Sequence, residues 1–241
     1  MSSPCSRSPA PGTRARVTRR LGRAAPPVPP SPLRAPLCPA APAPAPGTPP
    51  LGDGGTKHFL SGRLRPYADA MVHVREMDAA DIGAVSAIRV RGWQAAYAGI
   101  VPGTYLDAMT VEGDAARRRE SSSRPGRTSR DLVALGDGGP VGWICFGPCR
   151  SGMPGPGRAG EVYALYVAPD LVGRGIGRTL LGEAHARMKG EGFETSALWV
   201  LGDNRRARHF YERAGYRADG AVQEDVYDGT TLTELRYQRV L

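Results

Sequence analysis

Apolar side chains recur at the spacing of helices and strands from residue 72 onwards, and the first 70 residues show no such spacing. A short strand begins at Val72, and Asp78 is suited to cap the helix that follows. The apolar positions of this amphipathic helix are Ile82, Val85, Ile88 and Trp93. The segment Ile100–Leu106 predicts a loop that leads into a second short helix, and a third helical piece lies around Glu112–Glu120.

The rest of the pattern alternates strands and helices. Two apolar runs around a Gly-rich connection predict a hairpin, and a later uninterrupted apolar run predicts a strand buried on both faces. In chain order, the predicted elements are the hairpin strands Leu132–Leu135 and Val141–Phe146, the buried strand Val162–Val167, a helix over Ile176–Met188, a strand over Ala197–Leu201, a helix capped by Asp203 or Asn204 and ended by Gly215, and two strands, Tyr216–Ala218 and Leu235–Val240, around an acidic turn at Glu224–Asp228. With the two longer N-terminal helices counted, the order is β-α-α-β-β-β-α-β-α-β-β, which predicts an α/β fold with a mixed central sheet.

Composition changes at the same boundary as the pattern. Sixteen of the 23 prolines lie in residues 1–70, among small residues and arginines, so this segment has few large apolar side chains with which to form a core. We therefore expect residues 1–70 to be a disordered tail rich in Pro, Ala and Arg, and residues 71–241 to be one domain. An organelle transit peptide, or translation that starts at Met71, stays open for this tail.

The net charge of +9 belongs almost entirely to the tail. Residues 1–70 hold ten basic and two acidic residues, which leaves 22 basic and 21 acidic residues for the rest. A nearly neutral domain argues against nucleic acid as a partner. The chain also lacks a run of ~20 apolar residues that could span a membrane, and Cys145 and Cys149 lack further ligands at zinc spacing. We expect a cytoplasmic protein with no membrane partner and no metal.

A strand, a glycine-rich turn and a helix follow one another at Val162–Val167, Gly173–Gly177 and Ile176–Met188. Small residues at a helix start let backbone N–H groups approach an anion, which the helix dipole also attracts. The pattern therefore predicts a phosphate or pyrophosphate site, although a plain tight turn into a helix has the same appearance. It does not match the Gly-x-Gly-x-x-Gly fingerprint of dinucleotide-binding folds, because Arg178 stands where the third glycine belongs.

Two blocks resemble the GCN5-related N-acetyltransferase family. The first joins Val167-Ala-Pro169 to the loop Val172–Gly177, and the second joins Asn204 to the segment Phe210–Tyr216. The resemblance covers about residues 72–240 and is clearest over 161–217. It implies the fold of that family and acetyl-CoA as cosubstrate, used by direct transfer without a metal. The first block departs from the family pattern at Val172, where the family has Arg or Gln.

The resemblance also assigns a coenzyme site. It implies that the coenzyme pyrophosphate is bound by loop amides, which belong to Val172, Gly173, Arg174, Gly175, Ile176, Gly177 and Arg178. The backbone of Leu165, Tyr166 and Val167 would pair with the pantetheine arm, and Asn204 would contact the coenzyme while it caps its helix.

Acetyl transfer to an amine needs a donor for the developing oxyanion, an acid for the departing thiolate and an acceptor for the proton of the ammonium. The resemblance implies that the strand Val162–Val167 splays away from the next strand and leaves its amides unpaired, so the N–H of Val167 is the candidate oxyanion donor. Tyr211 matches the general-acid tyrosine of the family, and its ordinary pKa of ~10 lies above the ~8.5 of a thiol. Glu161 is the candidate base, directly or through water. A core tyrosine and a solvated glutamate are the structural alternatives for these two residues.

The resemblance defines the acceptor only as an amine of a small molecule or a peptide. Trp93, Tyr97 and Tyr105 lie where family members build the acceptor wall, although buried helix aromatics give the same pattern. The acidic turn at Glu224–Asp228 is compatible with a cationic acceptor. A homodimer remains open, and a non-catalytic acyl-CoA-binding sensor or interaction module is the alternative function.

Overall fold

The computed structural model describes residues 72–150 and 157–241. The expected tail over residues 1–70 lies outside these described residues. In chain order the elements are β1 (His73–Glu76), a 3-10 turn (Ala79–Asp81), α1 (Ile82–Ala96), α2 (Gly103–Asp107), α3 (Val111–Ser122), β2 (Arg130–Gly136), β3 (Gly139–Pro148), β4 (Ala159–Val167), a 3-10 turn (Pro169–Leu171), α4 (Ile176–Gly190), β5 (Thr195–Leu201), α5 (Arg205–Arg213), β6 (Arg217–Tyr227) and β7 (Thr230–Val240).

The described strands form one mixed sheet in the order β1-β2-β3-β4-β5-β7-β6. β4 and β5 run parallel, and the other neighbouring strands run antiparallel. The predicted fold class is therefore confirmed. The predicted second short helix is α2, which begins inside the segment Ile100–Leu106 that was predicted as a loop. Among the residues that the structure describes, every helix is too short or too polar to cross a membrane.

Helices cover both faces of the sheet. A Cβ atom added at Gly92 in α1 would lie 3.1 Å from the ring of Tyr166, whereas one added at Gly142 in β3 would lie 2.9 Å from Leu180 of α4. The glycines thus let α1 and α4 approach opposite faces of the same two strands. We call these two faces the α1 face and the α4 face. On the α1 face, α3 packs against α1.

The C-terminal hairpin is longer than predicted. β6 and β7 meet at a two-residue turn of Asp228 and Gly229, whose φ angles are 46° and 78°. Positive φ at both central residues is the geometry of a type I′ turn, which favours Asp-Gly. The predicted acidic turn at Glu224–Asp228 is therefore wrong in its bounds, because Glu224 and Asp225 lie inside β6.

The predicted helix caps are confirmed. Asp78 accepts a hydrogen bond from the backbone N–H of Ala80, and it forms a capping box with Asp81 at the turn that precedes α1. Asn204 accepts one from the N–H of Ala207 at 3.0 Å, at the start of α5. Gly215, with φ at 87°, follows the end of α5 as expected for a left-handed C′ residue.

A buried hydrogen-bond chain connects α4 to β5. The hydroxyl of Tyr216 lies 2.7 Å from Nε2 of His185 and 2.7 Å from the hydroxyl of Ser196. Burial, with a smaller contribution from the charge of Arg239, lowers the pKa of His185 to about 4. The folded protein thus holds this imidazole neutral over a pH range in which the unfolded chain protonates it.

We expect His185 to make the protein less stable in acid. The lowered pKa means that the unfolded state binds more protons below pH ~6.5, so stability falls as the pH drops from ~6.5 towards 4. After a discount for the partial exposure of the ring, the loss is roughly 1–2 kcal/mol between pH 7 and pH 4.5. Urea unfolding at both pH values should show a smaller loss for His185→Asn than for wild type. Equal losses would contradict this role.

Candidate active site

β4 and β5 separate soon after they begin. Their register partners are Ala159–Glu161 and Thr195–Ala197, although β4 continues to Val167 and β5 to Leu201. The register of β4 against β3 shifts at this point, where Tyr163 is an extra residue. A β-bulge bends its strand and increases the local twist, which accounts for the divergence. The result is a gap between two parallel strands, open at their carboxyl ends.

Backbone N–H groups of β4 point into this gap. Ala168 donates its N–H to the carbonyl oxygen of Val141 in β3 at 2.9 Å. Successive N–H groups of a strand point to opposite edges, so the N–H groups of Val167 and Leu165 point away from β3 and towards β5. This geometry suits the predicted roles of both groups, which are the oxyanion donor and the backbone partner of an extended ligand.

The glycine loop before α4 has the conformation that its sequence predicts. Gly173 and Gly175 have φ angles of 88° and 87°, which favour glycine. The N–H of Thr179 donates to the carbonyl of Gly175 at 3.0 Å and begins the helical ladder. The N–H groups of the preceding turn, at Ile176–Arg178, are therefore directed beyond the helix start. A Cβ atom added at Gly173 or Gly175 would have no protein atom within 4 Å, so the space before the loop is open.

A cleft of about 340 Å³ connects this loop to β4 and α5. Its lining includes eight residues that the sequence analysis selected, which are Leu165, Val167, Val172, Gly173, Gly175, Ile176, Gly177 and Arg178. Leu165 and Val167 also belong to the edge of the gap, so the cleft and the gap are continuous. Val172, the departure from the family pattern, packs partly against the hydrophobic core.

One wall of the cleft, which α5 provides, was not predicted from the sequence. Arg206, His209, Phe210 and Arg213 line it, and Leu171 completes the lining. Arg206, His209 and Arg213 recur at steps of three and four residues, so they share one face of the helix. The spacing of these basic residues in the sequence could have indicated an anion site. It adds positive charge opposite the loop amides.

Four predicted residues do not line the cleft with their side chains. The ring of Tyr166 lies on the α1 face, stacked on Trp143 at 6.0 Å between centroids. Arg174 and Asn204 are also outside the lining. Tyr211 is fully buried beneath α5, where its ring contacts Phe210 and Tyr216 at centroid distances of 5.0 and 5.7 Å. Its role as general acid remains a prediction.

Glu161 is buried and bound by Arg150. Its Oε2 accepts a hydrogen bond from the backbone N–H of Arg150 at 2.9 Å, and its Oε1 accepts from Nε at 3.1 Å and Nη2 at 2.5 Å. Both carboxylate oxygens are thus engaged at the closed end of the gap. The predicted role of Glu161 as a base requires Arg150 to release it, and this role also remains a prediction.

The predicted acceptor wall is assembled on the α1 face. The ring of Trp93 lies 4.7 Å from that of Tyr97 and 5.9 Å from that of Tyr105. The structure adds Tyr227, from the end of β6, at 6.1 Å from Trp93. The cleft and this aromatic cluster therefore lie on opposite faces of the sheet, and the gap between β4 and β5 lies between them.

These features define an α/β protein in which a glycine loop directs N–H groups beyond the start of a helix. The loop lies beside two parallel strands that diverge. The model of the "Acetyltransferase (GNAT) family" matches residues 97–216. An uncharacterized N-acetyltransferase, YuaI of Bacillus subtilis (strain 168), is 32% identical over 135 residues, which are 56% of this chain and 74% of that protein. The chain belongs to the GNAT acetyltransferase family, whose members use acetyl-CoA to acetylate amines.

Two further similarities are narrower. A mycothiol acetyltransferase of Propionibacterium freudenreichii subsp. shermanii is 49% identical over 57 residues, which are 24% of this chain and only 18% of that protein. The crystal structure of the PaiA N-acetyltransferase from Thermoplasma acidophilum, in complex with coenzyme A, matches with a TM-score of 0.54 and 22% identity. That match covers 70% of this chain and 99% of the other, and it supports the fold.

Proposed function

We propose that this protein transfers the acetyl group of acetyl-CoA to a primary amine of a small molecule or a peptide by direct attack. The observation that carries this proposal is the gap beyond Glu161 and Ala197, where the N–H groups of Leu165 and Val167 in β4 are directed away from β3. A pantetheine arm can pair with such an edge as an additional strand would. The thioester then lies where the α4 face opens to the α1 face.

The described residues fit the coenzyme along its length. Open space before Gly173 and Gly175 lets a pyrophosphate approach the amides of Ile176–Arg178. Arg206 and Arg213 place cationic side chains across the cleft from these amides. A phosphate-rich ligand with an extended neutral arm matches this sequence of surfaces, from the basic cleft to the strand edge.

Each chemical step has a proposed group in this chain. The N–H of Val167 stabilises the negative charge that develops on the carbonyl oxygen when the amine attacks. The carbon–nitrogen bond forms as the amine attacks, and the hydroxyl of Tyr211 protonates the sulfur as the carbon–sulfur bond breaks. The proton that the nitrogen loses passes to Glu161, directly or through water, once Arg150 releases this carboxylate, and solvent returns a proton to Tyr211. The backbone edge at Leu165 and Val167 orients the thioester. The acceptor amine can then attack it from the α1 face through the gap between β4 and β5. The products are an N-acetylated amine and the coenzyme thiol.

The curated relatives do not identify the acceptor. The similarity to mycothiol acetyltransferases covers about a fifth of their length, so it leaves the acceptor open. The side chains on the α1 face determine which amine the protein accepts.

The test is thiol release with a panel of amines. We expect the full chain with acetyl-CoA to release free thiol, detected with a thiol-reactive dye, only when a suitable amine is present, with a 42 Da gain on that amine by mass spectrometry. Acetyl-CoA binding without thiol release across amino acids, polyamines and peptides would favour the acyl-CoA-binding sensor instead. Failure to bind acetyl-CoA in calorimetry would contradict both.

A further inference from the structure

A cavity of about 100 Å³ lies on the α1 face, between α3 and the strands β3 and β4. We call it the α3 cavity. Trp143 and Cys145 of β3 and Ala164 of β4 form its floor, and Asp114 and Arg118 of α3 lie on its opposite side. Among the residues that the structure describes, it shares no lining residue with the cleft beside the glycine loop. The α3 cavity is therefore a separate site.

The lining of the α3 cavity carries more positive than negative charge. It includes five arginines and three acidic residues. Arg124 forms an ion pair with Glu120, and Arg127 forms one with Asp131, so these four charges cancel in pairs. The three remaining guanidinium groups share a single carboxylate. The lining thus has an excess of two positive charges, located around that carboxylate.

Asp114 is the shared carboxylate, and it is only 4% exposed. Its Oδ1 accepts a hydrogen bond from Nη1 of Arg89 at 2.6 Å, and its Oδ2 accepts one from Nε of Arg118 at 2.7 Å. Nη2 of Arg117 lies 3.8 Å from Oδ1. Burial alone would raise the pKa of Asp114, but the charges of Arg89 and Arg118 and the hydrogen bond from Arg118 lower it. Asp114 therefore stays ionised, with both oxygens already bonded.

Arg118 has donors that Asp114 does not use. Its guanidinium lies over the indole ring of Trp143, with 3.9 Å between Cζ and the ring centroid, and this contact orients the guanidinium plane. Nη1 and Nη2 have no hydrogen-bond acceptor among the residues that the structure describes. Together they carry four N–H groups along one planar edge, which matches the two oxygens of a carboxylate. The side chain is 13% exposed, so water screens this edge only weakly.

The floor of the α3 cavity is apolar. The indole N–H of Trp143 donates to Asp131 at 2.9 Å, and burial raises the pKa of Cys145, so the thiol stays neutral. A surface of this kind contacts the hydrocarbon part of a ligand. A cavity of about 150 Å³ can hold benzene. The α3 cavity therefore suits an organic molecule of a few carbon atoms with one anionic end.

We propose that the α3 cavity binds a small organic acid, whose carboxylate is held by the Nη1 and Nη2 groups of Arg118 and whose hydrocarbon chain lies on Trp143. The charges of Arg89 and Arg117 add to the attraction. Inorganic phosphate would place oxygens against the apolar floor without hydrogen-bond donors, so it fits less well. The inference does not depend on the proposed function, because the α3 cavity and the coenzyme cleft lie on opposite faces of the sheet.

Butyrate and butyramide test the site, because they have nearly the same shape and differ in charge. We expect the full chain to bind butyrate at least tenfold more tightly than butyramide or inorganic phosphate, measured at constant ionic strength by tryptophan fluorescence and calorimetry. The cleft that Arg206 and Arg213 line is also basic, so the titration is repeated with an excess of coenzyme A. The affinity for butyrate should not change. Displacement of butyrate by coenzyme A would place it in that cleft and would overturn the inference.

Two substitutions of Arg118 assign the binding to the α3 cavity. Arg118→Gln should reduce the affinity for butyrate at least tenfold, and Asp114 keeps its hydrogen bond from Arg89, so we expect this variant to fold. Arg118→Lys keeps a cation beside Asp114 but lacks the planar donor edge, and it should reduce the affinity at least threefold.

Arg119→Gln is the matched control, because it removes the same charge from an exposed position of α3 outside the lining and should keep the affinity for butyrate. Equal binding of butyrate and butyramide by the wild type would overturn the inference. The absence of butyrate binding at about 50 mM, or wild-type affinity in either folded variant of Arg118, would overturn it as well.

Discussion

A Gly175→Val protein should fold and bind acetyl-CoA at least ~100-fold more weakly than wild type, a loss of ~2.7 kcal/mol. Gly175 lies at the start of α4, and the space into which its side chain would project has no protein atom within 4 Å. A Cβ atom at this position therefore displaces no protein group. It occupies the place where the pyrophosphate must approach the amides of Ile176–Arg178, so the charge-assisted hydrogen bonds to these amides are lost.

Backbone strain needs its own control, because Gly175 has a φ angle of 87°. Gly220 in β6 has a φ angle of 88° and also has no protein atom within 4 Å of an added Cβ, but it lies away from the cleft. Gly220→Val should therefore lose a similar ~1–2 kcal/mol of stability and keep its affinity for acetyl-CoA. Calorimetry and thermal unfolding of both variants distinguish steric exclusion from strain. Unchanged affinity in folded Gly175→Val would mean that the loop does not bind the coenzyme.

Sequence patterns predicted the part of the site that is formed by residues close to one another in the chain. The strand Val162–Val167, the glycine loop and the start of α4 are contiguous in the chain, so their spacing alone predicted this strand–loop–helix unit. The caps at Asn204 and Gly215 depend on backbone conformation within one turn of a helix, and they were predicted for the same reason.

The proposed acceptor half of the site depends on contacts between distant segments. Tyr227 joins Trp93 and Tyr105 because β6 and β7 are long and tightly paired, and the two predicted strands were too short to place it there. The Asp228-Gly229 pair was the missed signal, since this dipeptide favours a two-residue hairpin turn. With that turn assigned, the register of the hairpin follows.

The gap itself was inferred from the resemblance and not from the residues. It depends on the bulge at Tyr163 and on the partners of β5, and no spacing within β4 encodes either feature. The ion pair between Arg150 and Glu161 also depends on strand pairing, so local spacing could not predict it. The two residues are eleven positions apart. Arg150 follows the end of β3 and Glu161 lies in β4, so their pairing follows from the register of these strands.

Tyr211→Phe should reduce turnover by ~10²–10⁴-fold while affinity for acetyl-CoA stays close to wild type. The substitution keeps the ring, and therefore the contacts with Phe210 and Tyr216 beneath α5. It removes the oxygen that we propose as the proton donor to the thiolate. Turnover should be measured by thiol release at saturating acetyl-CoA and acceptor, from pH 6 to pH 9, because a lost acid matters at every pH in which the tyrosine is protonated.

Tyr216→Phe is the matched control for a purely structural tyrosine. Tyr216 is as buried as Tyr211, and its hydroxyl bonds to Ser196 and His185. Its loss should lower the free energy of unfolding by ~1–3 kcal/mol because buried partners are left unsatisfied, with turnover near wild type. Tyr211→Phe is thus expected to reduce turnover, whereas Tyr216→Phe is expected to reduce stability. If Tyr211→Phe keeps turnover within twofold of wild type across this pH range, another group protonates the thiolate and Tyr211 is a core residue.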